Sequence, residues 1–250
     1  MAVLVGCTIS LAFVLVLQAL TFSAAVKLRN SAIVAHLRNT SDPDVIPLPD
    51  NNDSPLNLQL ALSLEKIIDV DRERNEIEVL VGEIVTYTNL ALAWDLNKEG
   101  FNATGVTLPN WYLWLPDIAV YNAVSSPEVI RGDEVNVHYD GFVTFFPVVR
   151  VRVWCDLQDV DSISGANCSL KLGSWTQNSA TVSLYDQGIF FDMQLYLATP
   201  NYEVLATSAT KHSKFYPCCP ESYEHIEFSF IIRKQDQPVE APEEENRSEK

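Results

Sequence analysis

Positive charge is scarce in this chain. Its 250 residues carry 17 lysines and arginines against 33 aspartates and glutamates, a net charge of −16. Nucleic acids and anionic membrane surfaces are bound through basic footprints, so neither is expected as a partner. No apolar run of transmembrane length occurs after the first 25 residues, and no membrane-spanning helix is expected there. Catalytic signatures are missing as well: there is no Gly-x-Ser-x-Gly elbow, no His-Glu-x-x-His helix and no glycine-rich phosphate loop. The four histidines, His36, His138, His212 and His225, are scattered without metal-ligand spacing. An enzyme is not expected, nor a cofactor or a dedicated metal site. Acidity does favour solubility and the attraction of cations, from small quaternary amines to loosely associated calcium.

Residues 1–25 read as a secretory signal peptide. They hold no charged side chain, contain the apolar run Leu11-Ala12-Phe13-Val14-Leu15-Val16-Leu17 and end on the small residues Ser23-Ala24-Ala25. Cleavage there removes Cys7 and leaves Cys155, Cys168, Cys218 and Cys219, an even number suited to an oxidising compartment. Of the three pairings open to four cysteines, Cys155–Cys168 with Cys218–Cys219 is the expected one. A bridge between neighbours closes an eight-membered ring across adjacent Cα atoms about 3.8 Å apart, below the usual disulfide spacing. Such a ring is a poor staple and suits a stiff, sulfur-tipped loop that closes over something. Sequons at Asn39, Asn52, Asn102, Asn167 and Asn246 agree with a secreted, extracellular product glycosylated at some of them. Residues 235–250, dense in Glu and Pro, read as a disordered acidic tail.

Between these ends, a hydrophobic content of 47% is ample for a packed core. Ile33, Val34 and Leu37 recur at helical spacing after Asn30, a candidate N-cap, and predict a short N-terminal helix. A polar, proline-bearing stretch follows from Asn39 to Pro55. The period then changes to two. Ile67-Ile68-Asp69-Val70-Asp71 turns through Arg72-Glu73-Arg74-Asn75 into Glu76-Ile77-Glu78-Val79-Leu80-Val81, a hairpin. Its charged turn lacks the glycine and distal glutamate of a calcium loop and reads as a solvated turn. Val149–Val153 and Ile226–Phe230 alternate as half-buried strands do, and Asp140-Gly141 and Ser164-Gly165 punctuate the rest. The fold expected is an all-β sandwich with one terminal helix.

Tyr121, Trp175, Tyr216 and Tyr223 each lie in or beside a turn-like segment. With a disulfide lid they could wall a box for an organic cation, each good ring face contributing about 0.5–2 kcal/mol. Four further features occur in order: Trp114-Leu115-Pro116-Asp117-Ile118-Ala119-Val120-Tyr121-Asn122; Cys155 and Cys168 with twelve residues between them; Gly173-Ser174-Trp175-Thr176; and Tyr216-x-Cys218-Cys219-x-x-x-Tyr223. Together they resemble the Cys-loop receptor ligand-binding domain, and most of all the soluble molluscan acetylcholine-binding proteins. The resemblance covers roughly residues 26–234. It implies a ten-strand, immunoglobulin-like sandwich of the nicotinic-receptor ligand-binding-domain type, a homopentamer, and ligand sites between neighbouring subunits.

Carried over residue by residue, the resemblance gives a complete principal face: Tyr121, Trp175, Tyr216, Cys218, Cys219 and Tyr223. The complementary face is depleted. Asn75-Glu76-Ile77-Glu78-Val79-Leu80-Val81-Gly82 aligns with a strand whose eighth position is tryptophan in the family, and here that position is Gly82. Thr144 and Phe146 match the apolar contacts of the neighbouring strand, while Ile84 and Tyr87 are candidates to refill the gap. The loop between Cys155 and Cys168 is polar and one residue shorter than the receptors' apolar loop, which has a membrane domain to press on. A soluble binding protein for small organic cations is therefore the leading expectation. The first alternative is the family's amorphous calcium carbonate-binding branch, a secreted acidic scaffold that controls shell mineral. The second is the extracellular domain of a ligand-gated channel.

Overall fold

Alternating burial from Leu56 onward becomes a β-sandwich in the computed structural model, which describes residues 31–49, 54–185 and 188–235. The expected signal peptide, Asn30, Asn52, Asn246 and all of the acidic tail beyond residue 235 lie outside the described residues. The chain divides into two compact units, and strands are numbered along the chain.

The larger unit comprises Leu48–Tyr87, Leu115–Glu134 and Thr144–Lys250. Its first sheet is built on β1 (Leu56–Asp71) and β2 (Glu76–Thr88), which form the hairpin expected from the sequence. At the turn, Asp71 Oδ1 accepts from the Glu73 and Arg74 amides, and Asn75 takes a positive φ of 55°. β1 is bulged between Leu64 and Lys66 and again between Ile67 and Asp69. Strict alternation after Leu64 would turn Lys66 inward. The first bulge instead puts Ile67 in the core at 3% exposure and leaves Lys66 in solvent. β8 (Val148–Trp154) pairs with β2, β5 (Glu128–Arg131) with β8, and the short β10 (Val182–Leu184) and β11 (Phe191–Asp192) run parallel to β1.

The second sheet has the order β12 (Tyr202–Phe215), β13 (Ser222–Lys234), β9 (Ala166–Ser174), β4 (Ile118–Val120). Ile226, Phe228, Phe230 and Ile232 alternate along β13 and are all fully buried. Each buried phenylalanine removes enough apolar area from water to contribute about 2–3 kcal/mol. Phe191 meets Phe228 and Phe230 edge-on, with ring centroids 5.8 and 5.9 Å away. Cys155, just past β8, is bridged to Cys168 on β9 across a Cα separation of 4.9 Å, so the disulfide ties one sheet to the other inside the core. Closing a loop of this length stabilises the fold by about 3 kcal/mol in the chain-entropy account. Gly165 makes the return turn with φ of 71°.

The smaller unit comprises Met1–Pro47, Thr88–Trp114 and Val135–Val143. Its helix, α1, spans residues 31–40, three residues further than the apolar spacing alone marks. Ile33 and Leu37 are fully buried, and the Arg38 guanidinium lies 4.2 Å from the Tyr112 ring centroid. The short strands β3 (Gly105–Pro109), β6 (Glu134–His138) and β7 (Phe142–Phe145) pair in the order β7-β6-β3, with Gly141 (φ 84°) in the turn before β7. Of the sequon asparagines that are described, Asn39, Asn102 and Asn167 are exposed.

One charged side chain breaks the inner pattern of β2. Glu83 lies between Val81 and Val85 and is 8% exposed. Burial disfavours its charged form and pushes the carboxyl up to about 7. A folded-state value above the unfolded one means the native protein holds the extra proton between pH 4.5 and 7, so its contribution to stability falls as pH rises through that window. Urea unfolding at pH 5 and pH 8 is expected to show about 3 kcal/mol more pH-dependent loss for the native sequence than for Glu83→Gln. An equal pH dependence in both proteins would refute the assignment.

Candidate functional site

At the end of β9 the backbone runs close against its neighbours. A Cβ at Gly173 would stand 2.5 Å from the Glu224 carbonyl oxygen and 2.7 Å from the Tyr121 hydroxyl, so no other residue fits without displacing backbone. That closeness lets the Tyr121 hydroxyl donate to the Ser174 carbonyl at 2.6 Å, while the Tyr121 amide donates to the Lys171 carbonyl at 2.8 Å. Burial, followed by the neighbouring Tyr216, Asp117 and Tyr223, pushes the Tyr121 hydroxyl up to about 12, so it keeps its proton and stays a donor.

Trp175 follows directly on Ser174 and is 68% exposed. An exposed indole holds one position only if its backbone is fixed, and Asp117 does this. The Trp175 amide donates to the Asp117 carbonyl at 3.1 Å. The Asp117 carboxylate accepts from the Ser174 hydroxyl at 2.5 Å and from the Thr176 amide at 2.7 Å. Charge-assisted bonds of this kind are about twice as strong as neutral ones. Ser174 Oγ in turn accepts from the Gln177 amide at 3.0 Å.

The third side comes from the β12–β13 hairpin. Thirteen cross-strand pairs carry it outward to a tip whose Cys219 amide donates to the Tyr216 carbonyl at 3.1 Å, with Cys218 and Cys219 bridged across a Cα spacing of 3.8 Å. Tyr216 and Tyr223 meet edge-on at 5.7 Å, as Tyr121 and Trp175 do at 6.0 Å. Lys214 sets its ammonium 4.9 Å from the Tyr216 centroid, so this ring already faces a cation.

Tyr121, Trp175, Tyr216, Cys218 and Tyr223 line one cavity of about 510 Å³. Of the principal-face set read from the sequence, five line it together, and the sixth, Cys219, is bridged to Cys218. Three phenols and an indole offer ring faces to the cavity, an arrangement with which cation–π attraction is possible, and its lining holds no histidine, carboxylate or free thiol. The residues read as complementary lie elsewhere. Gly82 and Ile84 are half-buried on the outer side of β2, Thr144 is half-buried in β7, and Phe146 is 51% exposed just beyond it. None of the four lines this cavity. Tyr87 is excluded as a substitute wall. Its parity on β2 is inward and it is 2% exposed, a core side chain whose hydroxyl burial pushes well above the ordinary range. Ile84 shares the face of Gly82 and is the one candidate left.

Sequence reasoning gave no role to Asp117, Ser174 or Gly173, although each stands inside a motif it quoted. Their work is done by close contacts and hydrogen bonds between segments far apart in the chain.

Among the described residues, no helix is long and apolar enough to cross a membrane. The model for the neurotransmitter-gated ion-channel ligand binding domain matches residues 30–236. Similar curated proteins include the neuronal acetylcholine receptor subunit alpha-6 of Rattus norvegicus, 30% identical over 189 residues, and the acetylcholine receptor subunit alpha-type acr-16 of Caenorhabditis elegans, 28% identical over 187. Each alignment covers 74% of this chain but only 38% and 37% of the receptor subunit. Among solved structures, the AChBP from Bulinus truncatus superposes with a TM-score of 0.72 at 31% identity, covering 82% of this chain and 98% of that one. With its β-sandwich, its single N-terminal helix and an aromatic cavity under a vicinal disulfide, this chain belongs to the neurotransmitter-gated ion-channel ligand-binding-domain family.

Proposed function

We propose that this chain is a secreted, homopentameric binding protein that takes small organic cations, quaternary amines above all, into the cavity beneath the Cys218–Cys219 tip. The observation that carries this reading is the convergence of Tyr121, Trp175, Tyr216 and Tyr223 on one cavity, with Tyr121 and Trp175 both fixed by hydrogen bonds. Cation–π attraction in a partly desolvated box of this kind contributes about 0.5–2 kcal/mol per face. The likeness to acetylcholine receptor subunits and to the AChBP supports the same ligand class. In a pentamer a neighbour closes each cavity, and Gly82, Ile84, Thr144 and Phe146 are the residues that would do so.

Gly82 makes that closure weak. Losing one aromatic face from a cation site forfeits about 1–2 kcal/mol, or roughly ten- to a hundredfold in affinity. The site should therefore bind acetylcholine weakly and leave room for a bulkier cation.

A second reading is favoured by one observation, the net charge of −16 with a gap where the complementary ring should stand. Five copies would present about −80, enough for many weak calcium contacts to add by multivalency on a carbonate mineral surface. The span matched on the receptor subunits is also what their extracellular part would occupy, so a channel-derived role remains the third reading.

Titration with acetylcholine or nicotine is expected to quench the Trp175-dependent fluorescence of the native protein, and Trp175→Ala is expected to abolish that response. No quenching at millimolar ligand would end the small-cation reading. Gly82→Trp should raise agonist affinity about tenfold or more, because a Cβ at that position meets only Glu65 Oε1 at 3.2 Å and Ser63 Cβ at 3.8 Å, and the Glu65 side chain can move aside. Unchanged affinity would show that residue 82 does not face the bound ligand. The mineral reading predicts slower calcite growth at submicromolar protein, retained by Trp175→Ala; growth indifferent to the protein would remove it.

A further inference from the structure

Behind the aromatic cavity, and outside its lining, lies a group of titratable side chains without a role in the site as described. His212 and His225 face each other across the β12–β13 hairpin with rings stacked at 5.2 Å and 20°. His225 also stands 5.7 Å from the ring of Tyr121, whose other near neighbour is Trp175 at 6.0 Å. A single residue thus separates this imidazole from the indole of the cation box.

Every element packed against His225 on this face contributes to its electrostatics. From β9, Lys171 reaches Glu227 Oε1 at 3.5 Å. From β12, His212 Nε2 lies 3.4 Å from Glu227 Oε2, and Lys214 stands over Tyr216. From β13 itself come Glu227 and Tyr223, and from the segment after β4 comes Tyr121. Glu224 and Lys211 pair with each other at 2.9 Å and belong to the alternate positions of their strands, away from this face. The single carboxylate of the cluster, Glu227, is already shared by Lys171 and His212. The charge of Glu227 favours protonation of His225, but burial and the neighbouring His212 and Lys171 outweigh it.

We propose that His225, stacked on His212 behind Tyr121, sets the affinity of the cation cavity: its neutral imidazole permits binding, and its protonated form repels the bound cation. The inference rests on the reading of that cavity as a cation site and adds its regulation. Burial first, then His212 and Lys171, holds His225 below the ordinary histidine range, so it is neutral at pH 7 and gains its charge only in a more acidic medium. The sign follows directly. As pH falls through the histidine's titration, affinity for a permanent cation falls; as pH rises, affinity is restored. At a separation of one aromatic ring, partly screened by solvent, a unit charge changes cation affinity by about three- to tenfold.

The test is calorimetric titration with carbamoylcholine, whose charge does not change with pH, between pH 8 and pH 5. The native protein is expected to bind about three- to tenfold more weakly at pH 5. The ratio of the two dissociation constants should fall to about one in His225→Asn and in the double variant with His212→Asn, and Glu83→Gln should keep the native ratio. A pH ratio that persists in the double variant, or that disappears in Glu83→Gln, overturns the proposal. Binding with a pH-independent constant overturns it alone, whereas no binding at any pH removes the cation-site reading with it. A second readout needs no substitution. By linkage, saturating carbamoylcholine must lower the His225 midpoint seen by proton NMR by about 0.5 to 1 pH unit, the logarithm of the same factor. A midpoint that does not move refutes the inference.

Discussion

At Gly173 the backbone of β9 is held so close to Glu224 and Tyr121 that a methyl group would not fit, and the aromatic cavity hangs from that closeness. The missing side chain lets Tyr121 reach the Ser174 carbonyl, and this bond orients the first ring. The next three residues fall under Asp117, whose carboxylate and carbonyl together take three donors from Ser174, Trp175 and Thr176. An indole left 68% exposed has little packing to define it, so its position is set by backbone hydrogen bonds beneath it. Rings from just past β9, from the segment after β4 and from the β12–β13 hairpin thus share one cavity because a tight strand junction fixes two of them and a long hairpin delivers the others.

The sequence made the period-two strands, the hairpin at residues 71–76 and the helix over residues 31–37 legible, because burial on one face leaves a pattern that needs no partner to be seen. It also made the aromatic set legible, but through motif order rather than through spacing. Tertiary facts were hidden for identifiable reasons. The β1 bulge is an insertion in register, and a run such as Leu64-Glu65-Lys66-Ile67 reads as broken alternation until a partner strand shows where the extra residue goes. Tyr87 looked able to fill the gap at Gly82 because both lie on one strand, yet five positions apart in a period of two puts them on opposite faces. Asp117 looked like a motif letter. Its acceptors matter only because β4 pairs with β9 in a register that sets Ile118 against Ser174.

The histidine pair shows the same limit from the other side. Scanned along the chain, His212 and His225 have no ligand or catalytic spacing, and lone histidines carry no message. Folding the hairpin around its vicinal disulfide makes them direct cross-strand partners, a relation computable from the turn register once the turn is known.

Charge then acts on two length scales that oppose each other. The chain as a whole is strongly acidic, and its long-range field raises the local concentration of any cation. Close to the cavity basic groups gather instead: Lys171, Lys214, His212 and His225 lie within or beside the hairpin face that backs Tyr121, and Glu227 pairs with Lys171 and His212. Salt screens the distant field within about 8 Å at physiological ionic strength, whereas the near cluster acts at contact range through a low-dielectric ring. If the cavity takes a cation as proposed, net acidity governs how fast that cation arrives, and the protonation state of the near cluster governs how long it stays. On the same proposal, glycine at position 82 would sharpen that division, because a cation held by fewer rings is more easily dislodged by one added positive charge.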